Sequence, residues 1–251
     1  MMAMSVMKTE LVSVEGLRLD GRKPHELAVL RCKLGASPAP EGSVYLEQGS
    51  TKVLVAVYGP HQACKTKILP NAVALNCKIS IARFATAMRS DPTVSDDRKV
   101  NEMSKNLKQA LLAVLKAELY PRSQIDVYVE VLQDDGNAFC ASVNAACLAL
   151  IDAGIPINEY VTACSASIAI TDDKKQHLLV DVNKGEEAAG CAVLTVACLP
   201  DTGRIAVLDL THKVHMDHFE KVLNTAIQGC KDIKVVLDEA LRQYLAETWP
   251  Q

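Results

Sequence analysis

Three histidines, His212, His215 and His218, are the residues whose type and spacing best suit a metal. His215 and His218 stand about one helical turn apart, as two imidazole ligands would. No cysteine or third ligand lies at a suitable spacing nearby, so a surface cluster at a helix start is expected instead. The nine cysteines form no C-x-x-C pair, which matches neither a zinc site nor a disulfide framework. Several sit in apolar runs such as Ala145-Ala146-Cys147-Leu148, and buried, reduced thiols in a reducing compartment are expected. No glycine-rich loop of the nucleotide-binding type is present. Acids gather at Asp134-Asp135 and at Asp181 to Glu187. By themselves these are a helix-capping turn and a solvated acidic turn at a strand end. Bases gather at Lys65 and Lys67, and again at Arg89, Arg98 and Lys99, where Asp91, Asp96 and Asp97 interrupt them. Singly, each base reads as a solvated surface charge.

An aliphatic framework must position these groups. The 251 residues carry 27 Lys+Arg against 30 Asp+Glu, and 49% are hydrophobic. That balance excludes a disordered chain and allows a large core. Aromatics make up only 4%, so Val, Leu, Ile and Ala must build the core, and base stacking has few platforms. A net charge of −3 gives no basic footprint for a stand-alone nucleic-acid binder. The start lacks the basic and long apolar regions of a signal peptide. No apolar run approaches the ~18 residues of a membrane span, so no membrane role is expected.

Alternation and turn residues predict strands over 27–34, 44–47, 53–58 and 73–81, with a hairpin at Gln48-Gly49-Ser50 and a stop at Gly59-Pro60. A polar loop over 84–98 leads into a helix marked by Met103, Leu107, Leu111, Val114 and Leu115. Ile125, Val127, Val129 and Val131 mark the clearest strand. After the turn at 134–137 a helix of small residues runs to Gly154-Ile155-Pro156. Strands follow at 162–170, 177–182, 191–198 and 204–209, then a long helix from Met216 to Leu245. Strands then helices, twice over, predict an α+β fold with helices packed on sheets. The expected organisation is a single domain: an extension over 1–16, a first half over 17–156, and a second half over 157–251.

Several motifs, in order, resemble the RNase PH family. They include Leu19-Asp20-Gly21-Arg22, the run Tyr45 to Val53, Val57-Tyr58-Gly59-Pro60, Asp97-Arg98-Lys99, Leu119 to Ile125 and Asn144 to Pro156. The match extends from about Leu17 to about Leu245. The resemblance implies an RNase PH-like fold of the ribosomal protein S5 domain 2-like type, with two similar β-α halves. It also implies a place in a six-membered ring of RNase PH-type subunits of the RNA exosome, capped by S1-domain proteins. RNA would thread the ring's channel toward associated hydrolytic ribonucleases, in the nucleus, nucleolus and cytoplasm.

Active members are phosphate-dependent 3′→5′ exoribonucleases, and the resemblance allows their site to be followed residue by residue. Their Gly-Ser-Arg-like phosphate clamp falls on Asn137, Ala138 and Phe139, so the arginine is replaced by an aromatic ring. Their catalytic acids fall on Asp181 and on Glu187, where active members carry a second Asp. These two are expected to be relics, with Mg²⁺ as cofactor only if the chain is an active enzyme. Lys65, Lys67, Arg89, Arg98 and Lys99 are the candidates for RNA contacts. The resemblance thus implies a non-catalytic ring subunit without a cofactor, with an Mg²⁺-dependent phosphorolytic enzyme using Asp181 as the alternative.

Overall fold

Alternating valines build the first sheet. A computed structural model describes residues 11–13, 16–63, 72–86, 94–170 and 176–248. In it β1 (Leu30–Leu34), β2 (Gly42–Gln48), β3 (Thr51–Gln62), β4 (Ala74–Ile81) and β5 (Ser123–Gln133) form one sheet in the order β1-β2-β3-β5-β4. All pairs are antiparallel except β4 with β5. Val53, Val55 and Val57 lie opposite Val131, Val129 and Val127, and all six are buried on one face. A tight turn joins β2 to β3, with Gly49 in the left-handed region, which a residue without a Cβ adopts at no steric cost. Strand β3 does not stop at Gly59-Pro60. The pairing with β5 shifts register between Tyr58 and His61 and continues to Gln62, and the Gly59-Pro60 peptide is cis.

Helix α1 (Val94–Val114) starts inside the expected polar loop, which places Arg98 and Lys99 on a helix. Helix α2 (Ala138–Asp152) is buried along nearly its whole length. The second sheet holds β6 (Thr162–Ile170), β7 (Gln176–Val180), β8 (Val193–Leu199) and β9 (Arg204–Leu210), antiparallel in the order β7-β6-β8-β9. Between β7 and β8 the acidic turn is a short helix, α3 (Lys184–Ala188), rather than an irregular loop. Helix α4 (Met216–Thr248) closes the described chain.

The elements stack in four layers. Helices α1 and α2 pack on the first sheet and also reach the second, α2 against β6 and α1 against β9. Helix α4 covers the other face of the second sheet, where a Cβ on Gly229 would meet Cys164 and Val180. This accounts for the small residues of α2: a helix between two sheets must be narrow and apolar on all sides. One buried cluster runs from Val44 through Leu148 and Val196 to Leu237, so both halves share a core. The fold is thus the α+β arrangement expected, with a sheet and helices in each half.

Six of the eight described cysteines are buried, and none of the eight forms a disulfide. Burial pushes the Cys77 thiol up to about 12 and the Cys147 thiol up to about 11. As expected, these side chains behave as small hydrophobes.

Candidate functional site

The N-terminus of α2 opens on a cavity of about 390 Å³ between the two sheets. Its apolar floor includes Met103 of α1, Ala138 and Phe139 of α2, and Val193 of β8. Its polar rim carries three cations, Arg83, Lys99 and Lys184, against four carboxylates, Glu102, Asp134, Glu187 and Asp209. Asn137 caps α2 in the left-handed region without a side-chain bond to the helix. The acids of the preceding turn do not cap it either, contrary to expectation. Asp134 accepts hydrogen bonds from the Gly136 N–H at 3.1 Å and from Lys184 Nζ at 3.0 Å, because α3 brings Lys184 across the turn. The first-turn N–H groups of α2 therefore have no side-chain cap, while the cavity around them is lined by more carboxylates than cations.

Asp181 is not on the cavity wall. It sits just past β7 with a φ of 57° and is 3% exposed. Its Oδ1 accepts from Gln48 Nε2 at 2.9 Å and from Asn137 Nδ2, and its Oδ2 accepts from the Ala28 N–H at 3.0 Å. Arg22 Nη1 stands 3.7 Å from Oδ2. A carboxylate has about four acceptor positions, and three of these hold hydrogen bonds while Arg22 faces the fourth. Glu187 does line the cavity. The two acids therefore do not share one wall, and this donor set does not fit a Mg²⁺ held between them.

An N-terminal strap locks this arrangement. Arg18 is buried and forms a fork with Glu186, Nε to Oε1 at 2.8 Å and Nη2 to Oε2 at 2.5 Å. Its Nη1 donates to the Val180 carbonyl at 2.5 Å and its Nη2 to the Asp181 carbonyl at 2.9 Å. Glu186 Oε2 also accepts the Asn183 N–H that opens α3, at 3.0 Å. Arg22 binds Asp20 at 2.5 Å and Asn183 Oδ1 at 2.8 Å. Burial opposes ionisation of Asp20, but hydrogen bonds from Arg22 and Asn183 outweigh it and hold the carboxyl below its ordinary value. Asp135 is shifted the other way, by burial and by the neighbouring charge of Asp134, against a hydrogen bond from Ser50.

These shifts have opposite pH signatures. The stabilisation from Asp20 is complete above the unfolded carboxyl value of 3.8 and is lost as pH falls through its lowered folded value. Asp135 favours the folded state most below its unfolded value of 3.8, and that contribution is lost as pH rises through its raised folded value. A carboxyl-resolved NMR titration is expected to place the Asp20 midpoint below 3.8 and the Asp135 midpoint above it. Arg22→Gln is expected to move the Asp20 midpoint upward.

Of the residues singled out in the sequence, Asn137, Ala138, Phe139, Lys99 and Glu187 meet on the cavity. Arg98 is exposed on α1 but does not line it. Lys65, Lys67 and Arg89 lie outside the described residues. His215 pairs with Asp217 at 3.3 Å and its ring centroid lies 6.0 Å from that of His218. Among the described residues no group of three or more His, Cys, Asp or Glu is arranged to hold a metal ion. Arg83 and Asp209 on the rim and the buried Arg18 carried no distinguishing sequence signal, while Lys184 and Glu186 lay within the acidic run Asp181 to Glu187 without being assigned a role. Arg22 carried a signal, as the last residue of Leu19-Asp20-Gly21-Arg22.

Comparison with known proteins adds to this geometry. A model described as "3′ exoribonuclease family, domain 1" (RNase PH) matches residues 26–156, and the model of its domain 2 matches residues 162–229. The chain is 42% identical over 240 residues to the human exosome complex component RRP41, covering 95% of this chain and 96% of that one. It is 38% identical to the exosome complex component ski6 of Schizosaccharomyces pombe, over 93% of this chain and 94% of that protein. It is 35% identical to the exosome complex component Rrp41 of Methanopyrus kandleri, over 93% and 95%. The crystal structure of rice Rrp46 matches the fold with a TM-score of 0.75 at 21% identity, covering 88% of this chain and 98% of that one.

Proposed function

The chain belongs to the RNase PH family of 3′ exoribonucleases, and from that membership we propose that it is a non-catalytic ring subunit of an RNA exosome. It pairs with other RNase PH-type subunits in a six-membered ring, supports S1-domain cap proteins and lines the channel that leads RNA to hydrolytic nucleases. Its work is then 3′-to-5′ RNA processing and degradation, such as rRNA maturation and mRNA decay, in the nucleus, nucleolus and cytoplasm. No cofactor is required.

One observation carries the non-catalytic part. Phe139, the position to which the resemblance assigns the family's clamp arginine, lines the cavity, and the rim there holds three cations against four carboxylates. A phosphate nucleophile needs positive charge at that point. The engagement of Asp181 by Gln48, Asn137 and Ala28 supports the same reading.

The test is direct. The assembled ring, without hydrolytic subunits, is incubated with labelled RNA, inorganic phosphate and Mg²⁺. No nucleoside diphosphate release is expected. Release that is lost in a folded Glu187→Gln variant would overturn the non-catalytic reading and establish the phosphorolytic alternative.

A further inference from the structure

A histidine and a carboxylate meet where β3 ends, outside the cavity already described. The face of the first sheet turned away from α1 and α2 carries Tyr58 and Tyr128, whose rings meet edge to face at 5.9 Å, and no helix lies over it among the described elements. At one end of this face, β3 sets His61 opposite Gln124 of β5, and β4 sets Asn76 beside Asp126 of β5. Residues in register point to the same side, as do residues two apart along a strand, so the four side chains converge. Asp126 is only 9% exposed and Gln124 only 8%. A buried carboxylate needs a cation or a metal beside it. Among the described residues no lysine or arginine pairs with Asp126, and its one ion-pair partner is His61. The other charges of this face are further along it or engaged: Lys52 pairs with Glu47 at the far end of the strands, Ser80 donates to Glu130, and Glu41 accepts the Gly59 N–H. Lys78 follows Asn76 by two residues on β4 and is exposed.

The atoms are spaced as two ligands of one ion rather than as a hydrogen-bonded pair. Asp126 Oδ1 accepts from Gln124 Nε2 at 2.8 Å and from Asn76 Nδ2 at 3.1 Å. These two amides fix the carboxylate and leave Oδ2 to face His61 Nε2 at 3.4 Å. That is longer than the roughly 2.7–3.2 Å of an N–H···O bond. It matches the span across a tetrahedral zinc ion, since two bonds of about 2.05 Å at about 109° set their donor atoms about 3.3–3.4 Å apart. The amides on Oδ1 are the outer partners that a ligating carboxylate normally has. Gln124 brings a further donor atom. Its Nε2 on Asp126 fixes which end of the amide is oxygen, and that buried Oε1 has no hydrogen-bond partner. A buried acceptor left in this way calls for a water or an ion. Imidazole nitrogen beside a carboxylate selects a late first-row divalent ion over Mg²⁺ or Ca²⁺, which take shells of oxygen. The His61 side chain is 46% exposed, so an ion can enter and keep water as its remaining ligand.

We propose that His61 Nε2 and Asp126 Oδ2, with Gln124 Oε1 as a third donor, bind one Zn²⁺-class ion that clips the end of β3 to β5. The ion is structural and takes part in no reaction, so the proposal stands apart from the ring-subunit reading. It shares no residue with the surface cluster of His212, His215 and His218.

The experiment titrates Zn²⁺ into the full chain by calorimetry, with thiols kept reduced. The background is His212→Ala/His215→Ala/His218→Ala, which removes the surface cluster. One ion per chain is expected, together with a rise in the thermal midpoint. Adding His61→Ala, at a half-exposed position, is expected to weaken binding by about tenfold or more and to abolish that rise. Asp126→Asn, which keeps an Oδ1 acceptor for both amides, is expected to do the same. Circular dichroism first checks that each variant folds, and if Asp126→Asn does not, His61→Ala decides alone. Co²⁺ in place of Zn²⁺ is expected to give the visible bands of a tetrahedral nitrogen and oxygen site, without the near-ultraviolet band of a bound thiolate. Absence of saturable binding in the background chain overturns the proposal. So does wild-type affinity after His61→Ala, and so does a thiolate band, which would put the ion on a cysteine.

Discussion

Glu186→Ala is expected to lower the unfolding free energy by about 3–5 kcal/mol, read from the midpoint of a urea titration. The reason is what the substitution leaves behind. Arg18 and Glu186 side chains are 0% and 1% exposed, and the Arg18 fork loses both acceptors at once. The guanidinium keeps only the Val180 and Asp181 carbonyls. A buried charge without its counter-ion costs far more than the pair contributes by existing. The comparison that isolates this cause is Arg18→Met with Glu186→Met, which removes both charges at similar volume. It is expected to recover most of the loss. Equal destabilisation by the single and double variants would show that packing, not the stranded charge, sets the cost. Because Glu186 also holds the Asn183 N–H at the start of α3, the single variant is further expected to loosen the segment that carries Lys184 and Glu187 to the cavity.

Asp181→Ala is expected to destabilise the protein by about 2–4 kcal/mol, because it strands one buried and two part-buried donors together. Gln48 Nε2, Asn137 Nδ2 and the Ala28 N–H all lose their acceptor, and Arg22 loses a nearby charge. Asp181→Asn is expected to cost less, since its remaining carbonyl oxygen keeps the Gln48 and Asn137 bonds, although its amide then faces the Ala28 N–H. Equal stability of the alanine variant and the wild type in urea would refute this role. The prediction also bears on enzymology. Loss of ring activity in an Asp181 variant reports folding before it reports chemistry, so Glu187→Gln, at a half-buried position on the cavity wall, is the cleaner probe of the site.

The strand and helix order was legible in the residues because local rules dominate there. Val53, Val55 and Val57 alternate, α4 repeats its apolar positions every three or four residues, and Pro156 stops the chain after α2. The aromatic ring at position 139 was equally legible, since Phe139 is a matter of residue type alone. Gly59-Pro60 misled because turn chemistry names a preferred bend, and only pairing with β5 decides whether the strand survives it. The segment 184–188 misled because a five-residue helix has no periodicity to detect, and it is fixed by Glu186 reaching back to its own first turn.

Sequence by itself determined the fold family, the element order and the aliphatic core, all of which are properties of residue type and near spacing. Tertiary structure alone decided the rest. It made Asp181 a buried acceptor for Gln48 and Asn137, 133 and 44 residues away, where a motif could name only an acid. It gave Gly42 its reason, since a Cβ there would lie 2.3 Å from the Ala149 carbonyl oxygen of α2. It also left the tyrosine face of the first sheet without a helix over it among the described elements. Partners distant in the chain settle each of these, and alternation or turn chemistry cannot say which strands and helices will meet.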